Sequence, residues 1–259
     1  MKTLGRFYLF AILAFLYTPI IVMMAMGFNE SPLYQLPFSF STRWYVALMG
    51  NTGLLTSGMN SIIIAVITAV VATTLGTVAS VALSRRTFRG RSLLQLLLLP
   101  PIAIPWLITG TAMLIFFYWS GIGRGMHALI IGHVALAIPY VVIVVGTGFK
   151  TIRADLEEAA MSLGSTPIHA FYSVTLPLLF PSILGAALFA FAVSLDQFVI
   201  SYFLATPGYT TLPVQIYSAI RKGFTPEINA ISTILLLGSM AAILIFARFA
   251  KPGENRDPR

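Results

Sequence analysis

A chain of 259 residues that is 58% hydrophobic and 9% charged, with a mean hydropathy of +0.89, is not a soluble domain, because soluble domains carry about a quarter charged residues. Its recurring apolar stretches of about 20 residues can each cross a hydrocarbon core of about 30 Å, so the chain reads as an all-α, polytopic membrane protein. The absence of cysteine excludes disulfides, thiolate metal sites and cysteine nucleophiles, and the net charge of +8 is distributed as an orientation signal, not as a nucleic-acid patch.

Met1–Gly27 has a short basic start and an apolar core, and it lacks a small-residue cleavage site. It is predicted to stay as a signal anchor and first span. Six spans are predicted in a single transmembrane domain over residues 1–259: Phe7–Phe28, Asn60–Ser84, Leu93–Tyr118, His127–Phe149, Leu178–Ala205 and Ile228–Phe249. An even number puts both termini on one side. That side gathers Lys2, Arg6, the run Arg85–Arg91, Lys150, Arg153, Arg248, Lys251, Arg256 and Arg259, while the other has Arg43, Arg124, Arg221 and Lys222. By the positive-inside rule the termini and the loop 150–177 are cytoplasmic.

The external connections are Asn29–Met59, Trp119–Met126 and Thr206–Glu227. The first and third are too long for turns, and Leu212, Ile216 and Ile220 share a helical face, which predicts a short helix there. Pro100, Pro101, Pro105 and Pro139 interrupt the third and fourth spans and favour kinks beside Gly110 and Gly146. Their readings are a hinge or pathway wall, and ordinary packing. Trp106, Tyr118 and Trp119 read as interface anchors, with substrate-cage residues as the other reading. His127, His133 and His169 have no metal-ligand spacing, and His133 reads as a hydrogen-bonded packing residue. The tail after Lys251, rich in proline and charge, reads as disordered.

The cytoplasmic loop carries the densest pattern. Asp155, Glu157 and Glu158 open a short helix, where carboxylates favour the positive dipole end. Ala159 and Ala160 are small enough for close approach by another surface. Gly164 suits the left-handed position that ends a helix. Ser165 or Thr166 can cap a second helix with Pro167 in its first turn, and Ile168, Phe171 and Tyr172 give that helix an apolar edge. Pro177 ends the loop. Physics alone leaves two readings, an interfacial helix–turn–helix and a docking platform that transmits movement.

The spacing Glu158-Ala159-Ala160, Gly164, Val174, Leu176-Pro177 resembles the EAA loop of bacterial ABC importer permeases, with Val174 where the family usually has Ile. The layout resembles type I importers with the MetI-like core. Such permeases work in pairs, with two cytoplasmic ATPases and an external substrate-binding protein. The resemblance implies that Glu157, Glu158, Ala159, Ala160, Gly164, Pro167 and Phe171 dock on an ATPase, which binds ATP and Mg. The chain itself is expected to need no cofactor and to hydrolyse nothing, and it has no Walker-type loop. The segments Ser194–Ser201, Leu212–Ser218 and Thr225–Ala230 are similar to the spermidine/putrescine, PotC-like branch. That branch often has two adjacent acids where this chain has Asp196-Gln197. The implied substrates are polyamines or related small cations, with amino acids, opines or other small solutes as the alternative.

Asp196 is the only acid inside a predicted span. An ionised carboxylate there needs a partner or a water-filled path. Helical spacing puts Gly185, Phe189, Ala192, Asp196 and Phe203 near one face, where the aromatic rings can favour an ammonium group. Ser194, Gln197 and Ser201 form a separate polar stripe facing a partner permease or the path. Three roles stay open for Asp196: cation path, helix–helix hydrogen bonding and proton handling. The last corresponds to a rival class, a proton-coupled secondary carrier using Asp196 and His133. An intramembrane enzyme finds no second carboxylate to pair with Asp196.

Overall fold

The computed structural model describes residues 2–32, 35–85, 88–98, 100–153, 155–223 and 225–249. The predicted tail after Lys251 and part of the arginine run therefore lie outside the described residues. In chain order the helices are α1 (Lys2–Met26), α2 (Arg43–Gly50), α3 (Thr52–Arg85), α4 (Arg91–Leu98), α5 (Pro100–Ala103), α6 (Trp106–Trp119) and α7 (Met126–Thr151). They continue as α8 (Asp155–Ser162), α9 (Pro167–Ala170), a π-helical turn (Phe171–Thr175), α10 (Leu176–Asp196), α11 (Val199–Leu204), α12 (Leu212–Lys222) and α13 (Glu227–Phe249). No strand longer than an isolated bridge occurs among the described residues.

Two compact units divide the chain, one formed by Met1–Met59 and Val214–Ala241, the other by Asn60–Pro213 and Ala242–Arg259. In the first unit the predicted external connection is an ordered knot around the fully buried Asn29. Its Nδ2 donates to the Gln35 carbonyl at 3.0 Å, its Oδ1 accepts from the Ser39 amide at 3.1 Å, and its carbonyl accepts from Trp44 Nε1 at 2.7 Å. Phe28 stacks on Phe40 with ring centroids 5.7 Å apart. Every polar group of the asparagine that this geometry removes from water thus gains a partner.

The second unit is built on α7, whose buried side includes Leu129, Leu136, Val141 and Val145. Ala72, Ala137, Val141, Leu179, Ala186 and Ala190 form one apolar cluster, and Ile64, Phe117, Leu129, Leu136, Ile200 and Leu204 form another. Small residues allow this closeness. A Cβ on Gly76 would stand 2.6 Å from Val141 Cγ1, and one on Gly148 would stand 2.6 Å from Ser182 Cβ. Helices in lipid associate through such contacts because burial of apolar surface gives them little driving force.

Among the described residues four stretches are long and apolar enough to cross a membrane uninterrupted: Leu4–Met26, Thr52–Arg85, Met126–Thr151 and Pro167–Asp196. The third predicted span, Leu93–Tyr118, is instead a bent pair, Arg91–Ala103 and Trp106–Trp119, at 112°. Pro105 lacks a donor and pushes Ile104 out of helical geometry, so α5 ends and α6 begins there. Pro139 has no such effect, and α7 continues through it. The fifth predicted span, Leu178–Ala205, begins earlier and is cut at Asp196. The last contributes the shorter apolar stretch Glu227–Ala242. The short external helix is present as α12.

Candidate functional site

α8 starts with Asp155, Glu157 and Glu158 and buries no residue. It ends in a paired backbone closure, with the Ser165 amide bonding the Ala160 carbonyl at 3.1 Å and the Gly164 amide bonding Met161 at 3.0 Å. Gly164 has φ +95° at the C′ position this closure requires. Thr166 caps the next helix, its Oγ1 accepting from the His169 amide at 3.3 Å, with Pro167 in the first turn. Glu158 and Ala159 are exposed and Ala160 half-buried. Leu163, Ile168 and Tyr172 are 90%, 72% and 63% exposed. Phe171 is half-buried, its ring 6.0 Å from the Arg85 guanidinium carbon. Arg153 and Asp155 form an exposed bidentate pair at 3.1 and 2.5 Å, a kind of pair that contributes little to stability.

The second short helix is not a separate piece, as the sequence suggested. α9, the π-turn and α10 form a continuous helical run from Pro167 to Asp196. Pro177 cannot donate to the carbonyl one turn earlier. A π-turn just ahead of it, closed by the Leu176 amide on the Phe171 carbonyl, accommodates that lost bond without ending the helix.

Glu157 separates from its neighbour in role. It makes an ion pair with Arg85, the last residue of α3, and accepts a hydrogen bond from the Thr175 hydroxyl in the π-turn. Arg85 Nη2 donates to Thr175 Oγ1 at 2.9 Å, which closes a ring of three side chains. Thr175 is fully buried, and Phe149 at the end of α7 lies 5.5 Å from the Arg85 guanidinium carbon. Sequence reasoning counted Arg85 only as part of a basic run and did not single out Thr175. The available signal was an arginine in the last turn of an apolar span, where a side chain that turns inward needs an acid.

At the other end of α10 the predicted face of Asp196 is split. Gln197 is extended, with ψ 98°, and the chain restarts as α11. Phe189 and Asp196 remain on α10, but Phe203 belongs to α11 and packs on α6, where a Cβ on Gly110 would stand 2.7 Å from its ring. Phe189 is 44% exposed and lies 5.3 Å from the Tyr140 ring. Asp196 is exposed at the C-terminal end of α10. The break costs backbone hydrogen bonds, and the side chain of Gln197 replaces one by accepting from the Val199 amide at 3.2 Å.

The predicted polar stripe points inward. Ser194, Gln197 and Ser201 are buried, at most 4% exposed. His133 on α7 contacts Ser194 Oγ at 2.8 Å through Nδ1 and Ser201 Oγ at 2.9 Å through Nε2. The Ser201 hydroxyl donates to the Gln197 carbonyl at 2.7 Å. A neutral imidazole with its proton on Nε2 then satisfies the ring and both serine hydroxyls: Nε2–H donates to Ser201, and Nδ1 accepts from Ser194. Among the described residues there is no cluster of three metal-ligating side chains.

The model of the family described as "Binding-protein-dependent transport system inner membrane component" matches residues 72–251. The putrescine transport system permease protein PotI of Escherichia coli (strain K12) is 37% identical over 230 residues, covering 86% of this chain and 82% of that protein. The spermidine/putrescine transport system permease protein PotC of the same strain is 34% identical over 250 residues, covering 95% of each. In fold, the chain is similar to a bacterial ABC transporter involved in import of the acidic polysaccharide alginate, with TM-score 0.71, 17% identity and coverage of 96% of this chain and 95% of that one. It is also similar to the MetNI methionine ABC transporter in inward-facing conformations, with TM-score 0.65, 18% identity and coverage of 76% and 94%. The chain therefore belongs to the binding-protein-dependent transport family of inner membrane components, as a multi-pass permease subunit of an ABC importer and not an enzyme.

Proposed function

We propose that this permease forms half of a membrane pathway for polyamines or related small cationic solutes and couples it to a cytoplasmic ATPase through α8 and α9. The observation that carries the substrate reading is the identity to putrescine and spermidine permeases along nearly the whole chain. The assembly consists of two permeases, two ATPase subunits that bind ATP and Mg, and an external substrate-binding protein, and both termini are cytoplasmic. Glu158, Ala159, Ala160, Gly164 and Pro167 contribute the docking surface. Its exposed apolar residues, Leu163, Ile168 and Tyr172, suit a groove on a partner, since aromatic and aliphatic anchors carry most binding energy.

Asp196 supports cation passage. The C-terminal end of a helix has a partial negative charge, and together with the carboxylate it favours an ammonium group. Phe189 extends the same face of α10 and Tyr140 packs beside it, supplying aromatic surface. The single acid in Asp196-Gln197 leaves amino acids, opines or another small solute as the second reading.

Uptake of radiolabelled putrescine by the reconstituted importer tests both. Asp196→Asn is expected to lower putrescine uptake by about tenfold, as loss of a charge interaction of about 1.4 kcal/mol with an ammonium group implies. Unchanged uptake removes Asp196 from the path. A wild-type importer that takes up a neutral amino acid in preference to putrescine overturns the substrate reading.

A further inference from the structure

α8 has an unusual footing. It buries no residue, and beneath it lies a cavity of about 860 Å³ whose walls include Leu156, Glu157, Glu158 and Met161. A second cavity of about 810 Å³ is bounded by Ile168, Phe171 and Tyr172. Arg85 lines both. Packing therefore does little to fix α8 against the spans, and its polar link at Glu157 does that instead. Each group in the link has its partners within the ring: both Glu157 oxygens are used, and Arg85 spends one amino group on the acid and the other on Thr175. The ring touches the end of α3, the start of α8 and the π-turn that leads into α10, with Phe149 of α7 beside it.

From this we infer that Arg85, Glu157 and Thr175 form the joint through which movement of α8 reaches the spans, with Glu157 held in the ring while its exposed neighbour Glu158 stays available to the partner. The inference rests on the proposed docking of α8 on an ATPase. Its physical basis is discreteness. An ion pair closed by a hydroxyl is made or broken, whereas a helix that buries no side chain has no fixed register of its own. Replacing one member leaves the other charge partly desolvated and without its counterpart, so the element loses its defined position. These are positioning residues that touch neither solute nor nucleotide.

The test is amide hydrogen exchange on the assembled importer, with and without ATP and vanadate, together with ATP hydrolysis. In the wild type, trapping is expected to change exchange in α8, in the π-turn and in the first turns of α10. In Glu157→Gln the change is expected to stop at α8 while hydrolysis continues and stimulation by the binding protein is lost. The exchanged pair Arg85→Glu with Glu157→Arg is expected to restore the spread, and Thr175→Ser to preserve it. A purely stabilising role predicts fewer assembled complexes whose surviving members transmit normally. Spread in Glu157→Gln equal to wild type overturns the joint. Where Glu157→Gln does not assemble, an assembled charge exchange that fails to transmit also overturns it. A wild-type α8 whose exchange is the same with and without ATPase subunits overturns the docking reading itself.

Discussion

His133 holds two serines that belong to different helices, Ser194 on α10 and Ser201 on α11. It therefore splints the break at Asp196-Gln197, where the backbone ladder is interrupted. In the secondary-carrier reading the same histidine was a proton relay. Its place between two hydroxyls and the family membership instead fit a fixed structural residue. His133→Ala removes both bonds and leaves the buried Ser194 hydroxyl without a partner, at about 1–3 kcal/mol for the unsatisfied group, while Ser201 keeps its bond to the Gln197 carbonyl. The expected result is a clear drop in the thermal unfolding temperature of the detergent-solubilised subunit. His133→Asn, which retains a donor and an acceptor, is expected to lose less. Equal stability of His133→Ala and wild type would show that water or rearrangement replaces the splint.

At the scale of elements the sequence signals differ in reach. Helix-ending chemistry was legible: Gly164 sits at φ +95° and Thr166 caps its helix, because both effects depend on a few neighbouring residues. Gly164→Val forces a side chain into the left-handed region at about 1–2 kcal/mol. With no fully buried side chain on α8 to resist, the closure between α8 and α9 is expected to open. Coupled uptake should then fall while the amount of subunit in the membrane stays unchanged, as immunoblotting of membranes and transport assays will show. The merging of α9 into α10 was not legible, since a proline normally ends a helix and only the observed π-turn shows how it is carried through. The cut at Asp196 was also hidden, because an apolar run with one acid reads equally as a continuous span. Long-range closeness was legible only as composition: Gly148 is one glycine among twenty, yet a Cβ there would collide with Ser182 of α10. Gly148→Leu is expected to cost about 1–3 kcal/mol or more through overpacking, read as lowered thermal stability of the purified subunit.

For the whole molecule, the number of crossings and the side of each terminus are one question. Four continuous helices cross by length and composition, while the bent pair at 112° and the shorter Glu227–Ala242 stretch decide the parity. If the bent pair turns back within the membrane and the last stretch crosses, the count is odd and the termini lie on opposite sides. If both cross, the termini share a side. The charge pattern bears on this independently. Lys2 and Arg6 flank the first span, and Arg248, Lys251, Arg256 and Arg259 follow the last. Placing either group outside would oppose the orientation bias of basic residues close to span ends. The bend itself does not argue for re-entry, because Pro105 accounts for it locally and a proline-broken span is tolerated where neighbouring helices satisfy the freed backbone. Both termini are therefore expected in the cytoplasm, with the bent pair as one interrupted crossing. Fusions of a fluorescent protein that matures only in the cytoplasm, one at each terminus, should both fluoresce. A fluorescent N-terminal fusion with a dark but stably produced C-terminal fusion would establish an odd count and make Arg91–Trp119 or Glu227–Ala242 a segment that enters without crossing.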